Sequence, residues 1–366
     1  MLPALLAVLL IFCLLLLIKN GEIAANGIKK GVALCRDVLL PSLFPFLVLS
    51  ELLLLFGAMR LPARLLSRPL SRLLGISEAG TAVLLLGVLC GVPVATAAAL
   101  SLEEKGQLSR TEFYRLCLIA NTPSAGFVIL VVGGALFGSS SAGAALFLAL
   151  LLSALTVGIF LNIFGKKLPQ KEKKQANGME NAPTLPAVTT CVQKGFFTFL
   201  GICAFVLLFS LVTEALAAAT ATLPPILRVL LGGIAEMTGG IANAVAALPP
   251  QSAFLVSAFL LGFSGISVAL QIFSVAERLH PRLFPFLLAK LAQGVLAVLF
   301  AALYLKMANP VLSPATPTFL EPAKRSTRLP FYFLYLILLA FLFLILLLLQ
   351  KKKTVTKDSN RKKHRI

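Results

Sequence analysis

Apolar residues gather into long runs separated by short polar or basic stretches, and ten of these runs approach or exceed the ~20 residues needed to cross a bilayer. They cover 2–18, 38–57, 79–100, 116–137, 144–164, 195–218, 226–247, 253–276, 284–306 and 331–349. The pattern predicts an all-α polytopic membrane protein with about 8 to 10 membrane segments. Two basic stretches flank the second run. Lys29, Lys30 and Arg36 precede it and Arg60, Arg64, Arg68 and Arg72 follow it, so the positive-inside rule puts both on the cytoplasmic side. The run between them then has to enter and leave on one face. Pro41 and Pro45, each lacking a backbone donor, predict that it does so as a re-entrant hairpin. The four arginines recur every fourth residue among leucines, which describes an amphipathic interfacial helix, kinked at Pro69 and suited to anionic lipid.

The remaining basic clusters divide the chain. Lys166 to Lys174 holds five lysines against Glu172, and 351–366 holds eight Lys and Arg against Asp358. Both are expected in the cytoplasm. The division is an N-terminal transmembrane helix at 1–19, a first half at 20–165, a basic linker at 166–194, a second half at 195–306, a loop at 307–330, a C-terminal transmembrane helix at 331–349 and a basic tail at 350–366. Residues 1–19 lack a basic region ahead of their apolar core, which favours a retained helix over a cleaved signal. An odd number of runs lies between loops given to one side in each half, so each half needs one run that fails to cross. The candidates are the interrupted ones, at Gly91-Val92-Pro93 or Asn121-Thr122-Pro123 and at Gly262 to Gly265.

Composition removes whole classes of function. Of 366 residues 58% are hydrophobic and 13% charged, which excludes a soluble globular protein. The net charge of +19 sits in short clusters beside apolar runs, so it points to membrane topology and not to nucleic acid. Two histidines, His280 and His364, and six scattered cysteines without a CxxC pair offer no metal site. No phosphate-binding glycine loop and no nucleophile with a base at plausible spacing is visible, so no cofactor and no enzyme activity is expected. Any solute movement has to draw on a gradient. Whether the chain forms a homo-oligomer is left open.

The interruptions carry the functional signal, because broken backbone at membrane depth persists only when buried in protein or lining a wet cavity. Leu86 to Ala95 can be laid over Leu261 to Ala269 with one gap, and Leu49-Ser50-Glu51 echoes Val212-Thr213-Glu214, so the halves read as repeats. Asn121 with Thr122 and Ser124 can bind a solute, or Asn121 can cap a half-helix that starts at Pro123. Ser264, Gly265, Ser267 and Gln271 occupy the second-half break, where the serines can instead bond to their own helix. Glu51 and Glu236 lie inside apolar runs and are candidates for ion coupling, although Glu51 can also close the hairpin near the headgroups. Lys290 either snorkels from the start of its run or pairs with an anionic solute. Glu103, Glu104, Lys105, Arg110, Glu112 and Arg115 mix both signs and read as a solvated connection.

Taken together, Leu39 to Phe46, Cys90 to Pro93, Asn121 to Ser124, Glu236 to Gly240 and Gly265 to Gln271 resemble the YlbJ family of sporulation integral membrane proteins over roughly residues 20–306. Its halves each carry the Gate, or nucleoside-recognition, fold shared distantly with concentrative nucleoside transporters. Where that family often follows Gly-x-Pro with glycine and a polar or basic residue, this chain has Ala95, Thr96 and Ala97. The resemblance implies a bacterial multi-pass membrane protein that carries dipicolinic acid, a planar aromatic dianion, across the outer forespore membrane. It implies a substrate site at the breaks, including Gly91 and Pro93, with helix N-termini for the carboxylates. The alternatives are a non-transporting scaffold of a spore-envelope complex and a nucleoside-type carrier.

Overall fold

The computed structural model describes residues 21–165, 185–279 and 281–308, with 310 and 312. The expected helices at 1–19 and 331–349, the linker as far as residue 184 and the basic tail lie outside the described residues. Among the described residues every regular element is helical. Five of the described helices are long and apolar enough to cross a membrane: Gly21–Leu53, Ser140–Phe164, Pro186–Ala218, Pro250–Val275 and Leu283–Ala308. The protein is therefore a multi-pass membrane protein, with these spans in a lipid bilayer.

The first span corrects the hairpin expected at Pro41 and Pro45. Helix α1 (Gly21–Ala33) continues through a π-helical stretch, Leu34–Leu39, into α2 (Leu40–Leu55) without turning back. The stretch from Gly21, expected as a loop, is the beginning of this helix, so its lysines do not mark a separate cytoplasmic connection. The prolines are tolerated because the wider turn closes just ahead of them: Leu40 N–H reaches back to Cys35 O, and the Ser42 hydroxyl donates to Val38 O. Helix α8 (Leu185–Ala219) runs antiparallel against α1 and α2, with Gly27 and Gly31 beside Leu211 and Ser210 and Gly195 beside Val48. The second long helix thus starts ten residues before the boundary drawn from hydropathy. Lys30 and Glu214 close one end of the pair at 2.6 Å.

The arginine-rich segment forms α3 (Arg60–Leu74), a single helix through Pro69, with Leu61, Leu65, Leu66 and Leu73 exposed. The sharp change of direction comes later, at Gly75 in the left-handed region (φ 64°), where the axis bends by 97° into α4 (Glu78–Cys90). This elbow ends the helical pairing of α3's last carbonyls, and other elements supply the missing donors. Arg115, from α6 (Arg110–Ile119), donates to Leu74 O at 2.8 Å. Asn162, from α7 (Ser140–Phe164), donates to Arg72 O and Leu73 O at 3.1 and 3.2 Å. Glu112 accepts from Ser77 N–H at 2.6 Å. Glu112 and Arg115 are thus buried fasteners of the elbow, which corrects their assignment to a solvated connection.

Three apolar runs do not form straight spans because they are interrupted. After α4, α5 (Val94–Glu104) restarts beyond Gly91 to Pro93. After α6, a second π-helical stretch (Phe127–Leu136) restarts beyond Asn121 to Ser124. In the second half α9 (Pro225–Ala235) and α10 (Met237–Ala247) meet at Glu236. The fourth interruption differs. Helices α11 (Pro250–Phe263) and α12 (Gly265–Val275) change conformation at Ser264 yet count as one span of 26 residues, so this run is not the one that fails to cross. Helix α13 (Leu283–Ala308) packs against both α11 and α7, joining the halves.

Candidate functional site

The four interruptions meet in pairs. Gly91 has φ 77° and lies so close to the next break that a Cβ there would stand 2.7 Å from the Ser124 amide nitrogen. Gly265 has φ 79°, and a Cβ there would lie 3.2 Å from the Met237 nitrogen. The two pairs then face one another across a small cavity of about 60 Å³. Val92 comes from the first break, Pro123 and Ser124 from the second, Glu236 and Thr238 from the third, and Ser264, Ser267 and Gln271 from the fourth. Leu39 and Leu43 of the first long helix and Ile202 and Val206 of α8 complete the wall with apolar surface. An apolar lining with a few convergent polar groups is the composition of a small-molecule site.

Each polar group owes its position to the local chain. Glu236 is a single extended residue between α9 and α10 (φ −139°, ψ 116°). Its carboxylate turns onto the helix it precedes, accepting from Thr238 N–H at 2.8 Å and Gly239 N–H at 2.6 Å. It is a buried N-cap, with the added attraction of a negative group for a helix N-terminus. Ser124 caps in the same sense, accepting from Phe127 N–H at 3.3 Å. Ser264 sits in the left-handed region at φ 70°, and its hydroxyl donates backward to Leu261 O at 3.1 Å.

Asn121 is buried but faces away from the cavity. Its side-chain oxygen accepts from the Thr96 hydroxyl and its amide donates to Cys117 O, both at 2.9 Å. Ser124, not Asn121, caps the half-helix that follows, because Asn121's amide is turned back onto the helix it ends. Thr96, in the first turn of α5, serves this bond.

Lys290 does not snorkel. It is 0% exposed, and its ammonium donates to Asn121 O and to Gln293 Oε1, the latter at 2.9 Å. Gln293 in turn donates to Leu118 O at 2.7 Å. Two side chains one turn apart on α13 thus fill carbonyls at the C-terminal end of α6, where a cation is also favoured by the helix dipole. Gln293, Thr96 and Thr238 escape a reading of the sequence. The signal for the first is a Lys and a Gln three residues apart in an otherwise apolar run. Glu51 stands apart from the cavity, about two turns beyond Leu43 on α2. Its carbonyl accepts from Cys191 of α8 at 3.6 Å.

Comparison with known proteins bears on this architecture. Over 340 residues, covering 82% of each chain, the sequence is 29% identical to the sporulation integral membrane protein YlbJ of Bacillus subtilis (strain 168). The likeness runs over most of both chains. The aligned share is large enough that the YlbJ likeness extends well beyond any single break. No family model matches the chain, and no solved structure matches it.

Proposed function

We propose that the protein is a secondary carrier for a small aromatic dicarboxylate, dipicolinic acid, across the outer forespore membrane. The observation that carries this reading is the convergence of four helix interruptions on one polar-studded cavity. Broken backbone in a bilayer is costly, and a substrate site repays that cost where a purely structural bundle gains nothing from it. The order of elements supports two related halves: each runs from a long helix through two interrupted pairs to a second long helix, and the leading helices pack antiparallel. The solute sits between the break pairs, with Ser264, Ser267 and Gln271 as its polar contacts, Ser124 serving as a cap at the edge of the cavity, and Gly91, Pro93 and Gly265 shaping the approach. Thr122 and Asn121 stand behind this wall, and Lys290 acts on the solute only through the Asn121 backbone.

Glu236 supplies the coupling. Two negative groups facing one small, largely apolar cavity repel each other strongly, so a solute carboxylate enters when a proton or a metal cation neutralises Glu236. Solute and co-ion then move together. Glu51, outside the cavity, has no such role. Helix α3, with its arginines and exposed leucines, rests on anionic headgroups. That surface also favours a second reading, a scaffold that recruits envelope partners without transporting anything.

The deciding experiment is deletion of the gene, with dipicolinate measured separately in spores and mother cells. The carrier reading expects spores poor in dipicolinate while the mother cell still makes it. Normal spore dipicolinate removes this solute and leaves the scaffold reading.

A further inference from the structure

The helix ends that face the cavity differ in what satisfies their first-turn amides. At α10 the protein provides a carboxylate of its own, Glu236, on Thr238 N–H and Gly239 N–H. At the second π-helical stretch it provides the Ser124 hydroxyl. At α12 it provides nothing: no side chain caps this N-terminus, because the left-handed turn at Ser264 sends its hydroxyl back to Leu261 O. A helix of 11 residues therefore begins with the Gly265, Ile266 and Ser267 amides lacking a side-chain acceptor.

A second observation falls in the same place. Ser267 is 1% exposed, its hydroxyl has no hydrogen-bond partner among the described residues, and it lines the cavity. Ser264, Ser267, Val268 and Gln271 fall at i, i+3, i+4 and i+7, so one stripe of α12 carries every cavity-lining residue of that helix. Buried hydroxyls are normally satisfied, and an orphan one beside an uncapped N-terminus is the donor set that receives an anion.

We propose that the N-terminus of α12 and the Ser267 hydroxyl form the seat for a carboxylate group of the solute, with the Gln271 amide one turn further along the same stripe. The inference rests on the carrier reading and adds which helix end takes the charge. The seat repeats, with the solute's carboxylate, what Glu236 does for α10. It also gives the solute a direction: one acidic end on α12 and the ring against the apolar wall of Leu39, Leu43 and Val206.

The test uses the full-length protein in lipid nanodiscs, with thermal protection and equilibrium binding measured for three probes: pyridine-2,6-dicarboxylate, its neutral diamide and benzoate. Wild type should bind the two carboxylates and not the diamide. Ser267→Ala should weaken carboxylate binding about tenfold, the size of one lost hydrogen bond to a charged group. Ser267→Asp, which places a carboxylate in the seat facing Glu236, should abolish anion binding by occupation and repulsion. Dipicolinate binding by Ser267→Asp equal to wild type overturns the seat and leaves the carrier reading standing. Benzoate bound and lost in this way, with dipicolinate never bound, supports the seat and removes the proposed solute. A wild type that binds no carboxylate overturns both.

Discussion

The break at Asn121 and the break at Ser264 are built from similar material and finished in opposite ways. At Asn121 the side chain and the freed carbonyls are claimed by protein: Thr96 and Cys117 hold the side chain, Lys290 holds the carbonyl and Gln293 holds the carbonyl of Leu118, while the neighbouring Thr122 hydroxyl, without a partner among the described residues, does not line the cavity. At Ser264 the following helix keeps its first amides uncapped and a hydroxyl unpartnered beside the cavity. The first break is sealed by a helix of the other half, and the second is open to whatever fills the space. A polar residue in a membrane run is therefore no guide to binding until its partners are known. The sealed set holds the halves together, and the open set is available to a ligand.

Substitutions that treat the two breaks alike should produce unlike results. Asn121→Leu removes a buried amide whose partners, the Thr96 hydroxyl and Cys117 carbonyl, are then stranded. A cost of about 2–4 kcal/mol is expected, enough to reduce the amount of folded protein in the membrane, read by detergent-solubilised yield and unfolding temperature. Equal abundance of variant and wild type would erase the distinction between sealed and open breaks. Gln271→Leu should leave yield and unfolding temperature near wild type while lowering solute uptake by roughly ten- to a hundredfold, since only a contact to a charged solute is lost. Undiminished uptake in proteoliposomes would remove Gln271 from the site.

Glu236→Gln tests the remaining wall. An amide oxygen can still accept from one of the two amides, so folding should survive, but the co-ion has lost its carboxylate. Uptake measured against imposed proton and sodium gradients should become indifferent to both. Persisting dependence on either ion would place coupling elsewhere. The smallest effect is expected from Ser124→Ala, which deletes a single cap at 3.3 Å and should cost about 1 kcal/mol in stability. A much larger loss of uptake than of stability would move Ser124 from cap to ligand.

The apolar runs and their interruptions are legible in the sequence, because glycine, proline and isolated polar residues are costly inside a membrane helix and mark where it stops. Gly91, Glu236, Ser264 and Gly265 all stand where the chain breaks. Pro41 and Pro45 carry the same signal and mislead, since a widened turn ahead of them absorbs the missing donors and no sequence pattern distinguishes that from a true break. Lys290 misleads for a different reason. Position near the start of a run suggests snorkelling, but α13 packs against α7 and α11, and the Asn121 carbonyl that holds the ammonium comes from a segment 169 residues away. The internal match of Leu86–Ala95 with Leu261–Ala269 pairs the first break with the fourth, whereas element order pairs the first with the third and the second with the fourth. Runs of Leu, Val and Ala resemble one another too easily to fix which break answers to which.

The right angle between α3 and α4 works as a set square. On the reading that rests α3 on the headgroups, the 97° turn sends α4 down along the membrane normal, and its 13 residues measure out about 20 Å before Gly91 ends the helix. The hydrocarbon layer is about 30 Å deep, so on that reading the first break, whose Val92 lines the cavity, is set at a fixed depth within it. That depth is gauged from one face alone. A thicker or thinner bilayer leaves the distance from α3 to the break unchanged and alters only how far the solute has left to travel on the opposite side.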